Sequence, residues 1–169
     1  RTPGAVPFAS LHQETPDKVA VAEKIFRDSR VAGFKFHPFV QRFDPWDRRM
    51  ESFYSFMQES GRPIFFHTGF EVFYGMKMPI EKLEKLVESY PRLPMVFVHM
   101  AFPEIARVFR LLETYPELYL DATNVLAFLR PEFAPMIEQL PGREEIFEQL
   151  FTGMEKHSDR IMYGSDHPV

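Results

Sequence analysis

Cysteine is absent from all 169 residues, which excludes disulfides, thiolate zinc centres and a cysteine nucleophile. Tryptophan occurs once and glycine only eight times. No apolar run approaches the roughly 18 residues that a membrane-spanning helix requires, so no membrane partner is expected. Basic clusters are also missing. The 20 Lys and Arg against 24 Asp and Glu leave a net charge of −4, which gives nucleic acid no field to respond to. The start, Arg1-Thr2-Pro3-Gly4, carries no charged-then-apolar signal pattern. Nothing points to secretion, and the expected location is cytoplasmic.

Phenylalanine is what the chain has in excess, with 19 against six Tyr. The hydrophobic share of 45% and charged share of 26% are ordinary for a folded domain. At 169 residues the chain is ample for one core but shorter than the roughly 250 residues of a complete eight-stranded α/β barrel.

Short apolar runs alternate with amphipathic stretches. The runs are Val6 to Leu11, Val31 to His37, Pro63 to His67, Met95 to His99, Leu118 to Asp121 and Ile161 to Gly164. Between the first two, Thr15 and Pro16 predict a helix start, since proline lacks only an N–H that would be unpaired there. Asp44-Pro45 predicts the next, in which Met50, Phe53, Tyr54 and Met57 recur with helical period and Gly61 closes the end. A third helix starts after Pro79, a fourth carries Ile105, Val108, Phe109 and Leu112, and a last carries Phe147, Leu150, Phe151 and Met154. Continuous apolar strands separated by helices predict a parallel sheet covered on its outer face. The sequence Tyr-Pro-x-Leu recurs at Tyr90 and Tyr115, at two successive helix-to-strand turns. No linker or charge block interrupts the pattern, so residues 1–169 read as one domain.

The ends of the runs carry the chemistry. Four are followed by or end in histidine, at His12, His37, His67 and His99, and the last leads into Ser165-Asp166-His167. In a parallel α/β domain all strand C-termini open on one face, so these residues converge where active sites form. A lone histidine after a strand is usually a hydrogen-bonded loop residue. Four of the chain's six histidines at the same structural position instead suit a divalent cation or a catalytic centre. His157, before the last strand, falls on the opposite face and is given no role.

In order, the motifs are Phe34-Lys35-Phe36-His37-Pro38, Phe65-Phe66-His67-Thr68-Gly69, Val96-Phe97-Val98-His99-Met100, Tyr119-Leu120-Asp121-Ala122-Thr123 and Met162-Tyr163-Gly164-Ser165-Asp166-His167-Pro168. This ordered set resembles the amidohydrolase superfamily, specifically the amidohydrolase-related group that includes aminocarboxymuconate-semialdehyde decarboxylase. The resemblance spans essentially the whole chain. It implies a TIM-like (β/α)₈ barrel, here partial, with the six βα units corresponding to strands 3–8.

The same resemblance implies a divalent cation, zinc first with manganese or iron as alternatives, bound by His67, His99 and Asp166. It makes Asp166 the proton-transfer group, and His99 a metal ligand or a group polarising the substrate. Lys35 and His37 occupy the fourth-strand region, where both are expected to bind substrate, Lys35 through contact with its anion. Phe65 and Phe97, each two positions before a histidine, are expected to line an apolar substrate pocket, although barrel core accounts for them as well. Asp121 reads as a turn residue or a support behind the ligands.

One departure stands out: no His-x-His occurs in the chain, whereas the family's first strand supplies two ligands from that motif. The first two strands and the final helix also have no counterpart, so about three-quarters of a barrel is expected. Unpaired parallel edges would invite self-association, leaving a homo-oligomer open.

The function implied is metal-dependent hydrolysis of a small amide, ester or carboxylated substrate, with non-oxidative decarboxylation and a non-catalytic fragment as alternatives. A metal-free hydrolase using Ser165 would lack the Gly-x-Ser-x-Gly elbow.

Overall fold

The computed structural model describes residues 4–69, 74–75 and 79–165. Six strands form one sheet in chain order: β1 (Phe8–Ala9), β2 (Gly33–Phe36), β3 (Ile64–His67), β4 (Met95–Val98), β5 (Leu118–Asp121) and β6 (Ile161–Met162). All five pairings are parallel. The connecting helices are α1 (Lys18–Asp28), α2 (Pro38–Gln41), α3 (Glu51–Ser60), α4 (Ile80–Ser89), α5 (Ile105–Thr114), α6 (Ala134–Glu138) and α7 (Arg143–Lys156). Among the described residues β1 and β6 pair on one side only, so the sheet is open at both edges.

Strand alternation sorts the side chains into two faces. Phe34, Phe36, Ile64, Phe66, Met95, Phe97, Leu118 and Leu120 all enter the core beneath the helices. The Phe53 ring of α3 meets Phe34 and Phe36 edge-on at 5.1 and 5.8 Å, while Phe36 stacks with Phe66 at 5.7 Å. Each such ring, fully buried, contributes roughly 1.5–3 kcal/mol of hydrophobic stabilisation. This is where the excess of phenylalanine goes. The opposite face carries Lys35, Phe65, Val96 and Tyr119, in register across the strands, and Phe8, in register with Gly33. Phe8 and Phe65 pack edge to face there at 4.7 Å.

Two helix starts differ from the sequence expectation. The Thr15 hydroxyl accepts the His12 amide at 3.1 Å, closing a turn, and is not available as a cap. Asp17 caps α1 instead, accepting from the Ala20 amide at 3.2 Å. Likewise Asp44 accepts from the Trp46 amide at 2.9 Å, and the helix waits for Asp47, which caps a 3-10 turn (Arg48–Met50) running into α3. The C-terminus of α3 falls at Gly61 as expected, with φ 63°. The repeated Tyr-Pro-x-Leu segments form equivalent turns. Leu93 N donates to Tyr90 O at 3.0 Å and Leu118 N to Tyr115 O at 3.2 Å, and β4 or β5 follows directly.

Candidate active site

Three of the four strand-end histidines meet. His37 leaves β2 as the N-cap of α2, a helix the apolar pattern did not foretell, with its Nδ1 accepting from the Val40 amide at 3.4 Å. Its ring stacks on His67 with centroids 3.7 Å apart. His67 ends β3 in extended geometry, and its Nδ1 lies 3.2 Å from His99 Nε2. His12 is not tied to them. Its Nε2 bonds the Gln41 carbonyl at 2.9 Å and its Nδ1 accepts the Glu14 amide, so it serves loop closure. His157 stacks on Phe109 and sits 3.3 Å from Glu113, between α5 and the end of α7.

The hydrogen bonds fix how the central pair is protonated. His99 Nδ1 lies 2.7 Å from the Thr123 carbonyl, which only accepts, so that nitrogen carries the proton. In a neutral imidazole its Nε2 is then an acceptor, and His67 Nδ1–H donates to it. This leaves His67 Nε2 as a bare lone pair, buried and without a hydrogen-bond partner. His67 and His99 are 6% and 2% exposed. Burial, reinforced by His99, His37 and Lys35, pushes the His67 pKa from 6.5 to about 2.

His99 does not continue the strand. His99, Met100 and Ala101 have φ of 67°, 52° and 49°, a left-handed run of three non-glycine residues. Each residue so held costs about 1–2 kcal/mol, so the surroundings must impose it. Thr68 does much of this: its hydroxyl donates to the Val98 carbonyl at 2.7 Å and accepts the Ala101 amide at 2.9 Å. Gly69 completes the seat. A Cβ there would lie 2.7 Å from Phe102 N and 2.8 Å from Phe102 O, and its own φ is 70°.

The reversal at His99 corrects one sequence expectation. Phe65 shares a face with His67 because the strand alternates undisturbed between them. Phe97 does not share the site face, since the left-handed turn intervenes before His99. It pairs with Phe66 and is fully buried in the core under the helices. Lys35, half-buried, stands on the site face in register with Phe65.

Behind His99, Asp121 at the end of β5 accepts both the amide and the hydroxyl of Thr123, at 2.8 and 2.5 Å. Gly164 after β6 presses on this turn, and a Cβ there would meet the Thr123 hydroxyl at 2.0 Å. Three contributors went unread in the sequence: Thr68, Thr123 and Tyr74. Tyr74 stacks on Phe39 at 5.0 Å and places its hydroxyl 3.1 Å from His37 Nε2. Nothing in its loop marks it, whereas Thr68 and Thr123 do follow strand ends directly.

Asp166 and His167 lie outside the described residues. Among the described residues no group of three His, Asp or Glu side chains could hold a metal ion. The open Nε2 of His67 nonetheless fits one ligand position of a divalent cation. Its other nitrogen is already bound, as the second nitrogen of a ligating histidine almost always is. A set of three ligands would need a residue from outside the described ones, and Asp166 is such a residue in the sequence.

A parallel sheet with alternating helices and histidines gathered at the strand C-termini defines a partial (β/α) barrel with its site at the mouth. The sequence pattern of the amidohydrolase family (Amidohydro_2) matches residues 1–169, and the chain belongs to that family. No curated protein matches it. Among solved structures, a TIM-barrel protein from Bordetella bronchiseptica is similar at 20% identity and TM-score 0.71, covering 96% of this chain and 54% of its own. A 2,6-dihydroxybenzoate decarboxylase from Rhizobium is similar at 14% identity and TM-score 0.64, covering 96% and 60%. A protein from Pseudomonas putida, assigned as a 2-pyrone-4,6-dicarboxylic acid hydrolase, is similar at 18% identity and TM-score 0.54, covering 97% and 56%. The chain thus spans a little over half the length of these structures. No helix among the described residues is long and apolar enough to cross a membrane.

Proposed function

We propose that this chain carries the mouth of a metal-dependent hydrolase of the amidohydrolase-related group, acting on a small amide, ester or carboxylated substrate. The observation that carries the reading is the buried, unpartnered Nε2 of His67. Leaving such an acceptor unpaired costs about 1–3 kcal/mol, a cost that a ligand at that atom removes.

His67 Nε2 and Asp166 are the residues that would hold a divalent cation, zinc first with manganese or iron as alternatives. The cation supplies polarisation of a substrate oxygen and a lowered pKa for water. Asp166 takes the proton from the attacking water. His99, bound at both ring nitrogens, holds the His67 tautomer and acts as a positioning residue. Lys35 offers an ammonium to a substrate anion, and Phe65 with Phe8 offers an apolar wall beside it. His37 closes one side of His67 by stacking, with Tyr74 steering its Nε2.

Decarboxylation is the second reading, favoured by a Lys35 ammonium on the same sheet face as the Phe65 ring, a setting that suits an aromatic carboxylate. The Rhizobium relative is named for that reaction on 2,6-dihydroxybenzoate.

Metal analysis of the full chain after supplementation tests the reading at its root. Less than about a tenth of an equivalent of Zn, Mn or Fe sinks it, since a structural or catalytic cation binds near stoichiometrically. With metal present, ¹⁸O uptake from water into product marks hydrolysis. Release of CO₂ without ¹⁸O in the organic product marks decarboxylation.

A further inference from the structure

The Asp121–Thr123 turn lies on β5, two strands away from His67 on β3, yet the hydrogen bonds run to it without a break. The Asp121 carboxylate accepts the Thr123 amide and hydroxyl. The Thr123 carbonyl accepts His99 Nδ1–H at 2.7 Å, and His99 Nε2 accepts His67 Nδ1–H at 3.2 Å. Each link has one direction for neutral imidazoles, because the carbonyl at the head of the chain cannot donate. Gly164 adds a steric latch, since the Thr123 hydroxyl occupies the space a Cβ at 164 would need.

We infer that Asp121 and Thr123 are positioning residues that set the tautomer of His67 through His99, so that Nε2 of His67 is held as a bare, buried lone pair. The cation-binding part of this inference rests on the metal-dependent reading above. The tautomer part does not.

The mechanism is one of pre-organisation. Without the Asp121 anchor the Thr123 carbonyl is free to turn from His99. The His99 ring then loses the acceptor that holds its proton on Nδ1, and the acceptor that keeps the His67 proton off Nε2 is weakened. A histidine protonated at Nε2 must shed or move that proton before it can ligate there. Asp121 therefore acts on the site without touching what binds there. Two conservative changes separate this role from direct ligation. Asp121→Asn retains an Oδ1 acceptor for Thr123 but loses the charge a ligand would need. Thr123→Ser retains the hydroxyl.

The test compares Zn²⁺ affinity, by competition with a chromophoric chelator, and ring-nitrogen NMR signals of the metal-free full chain. In the wild type, both His67 and His99 should appear as single Nδ1–H tautomers. Asp121→Ala and Thr123→Val should bind Zn²⁺ about 10- to 100-fold more weakly, the range seen when partners behind a ligand are removed, and His67 should show mixed tautomers. Asp121→Asn and Thr123→Ser should restore both readouts.

Wild-type affinity and unmixed tautomers in a folded Asp121→Ala overturn the inference. A loss in Asp121→Asn as large as in Asp121→Ala also overturns it, by making Asp121 a ligand. If Asp121→Ala does not fold, Thr123→Val decides by the same two readouts. If the wild type binds no Zn²⁺, the metal-dependent reading fails, and the tautomer signals alone decide the positioning role.

Discussion

The imidazoles of His37 and His67 lie face to face, with centroids 3.7 Å apart and planes 14° from parallel. Two protonated rings cannot share that spacing at low cost, and His67 is also buried beside His99.

A pH dependence of stability follows. The His67 pKa is 6.5 when unfolded and about 2 when folded, so between those values the unfolded chain binds the extra proton. Stability therefore rises with pH across this window and is flat, for this group, above about pH 6.5. The slope is at most about 1.4 kcal/mol per pH unit. Urea denaturation of metal-free protein at pH 7.5 and 5.0 should show a larger loss for wild type than for His67→Gln. Parallel losses would mean that His67 takes up its proton in the folded state.

Gly69→Ala should destabilise by about 2–4 kcal/mol, combining strain at positive φ with overpacking against backbone. The clash is with the Phe102 amide and carbonyl, which a rotamer change cannot relieve. A loss below about 1 kcal/mol in urea denaturation would show that the His99–Ala101 turn yields easily.

Thr68→Val removes the hydroxyl that bridges the Val98 carbonyl and the Ala101 amide. Leaving those buried groups short of a partner should cost about 1–3 kcal/mol. Thr68→Ser should recover most of it, whereas equal losses for both variants would place the effect in the missing methyl group.

The two phenylalanines separate cleanly. Phe97→Ala should cost about 3–5 kcal/mol in stability, as for a fully buried ring, and Phe97→Leu far less with no change in KM. Phe65→Leu, on the opposite face, should raise KM with a smaller stability loss. A KM effect at Phe97 without destabilisation would contradict its place in the core.

The strand pattern was legible because apolar runs and helical periodicity report burial directly. All six runs contain strands, in the expected parallel order. Convergence of His37, His67 and His99 was legible for the same reason, since topology alone brings strand ends together. The local reversals were not. Three left-handed residues at His99 have no glycine to announce them, and they depend on Thr68 from another strand. That reversal misdirects any count of two back from His99, and of the two readings open for Phe97 the core one holds. The helix starts slipped by two or three residues because Thr15 and Asp44 spend their side chains on turns. Tyr74 had no signal at all, as its place beside His37 is set by a loop.

The strand order also fixes a sequence of events during synthesis. Each strand pairs with the one made just before it, so the sheet can grow outward as the chain emerges. His67 is made early, but the carbonyl that orients it belongs to residue 123, and the residue pressing on that turn is Gly164. The open nitrogen is therefore finished late, once the far edge of the sheet is in place. A nascent or clipped chain lacking β5 and β6 would keep its histidines and lose their alignment, so that assembly of the site is tied to completion of the fold.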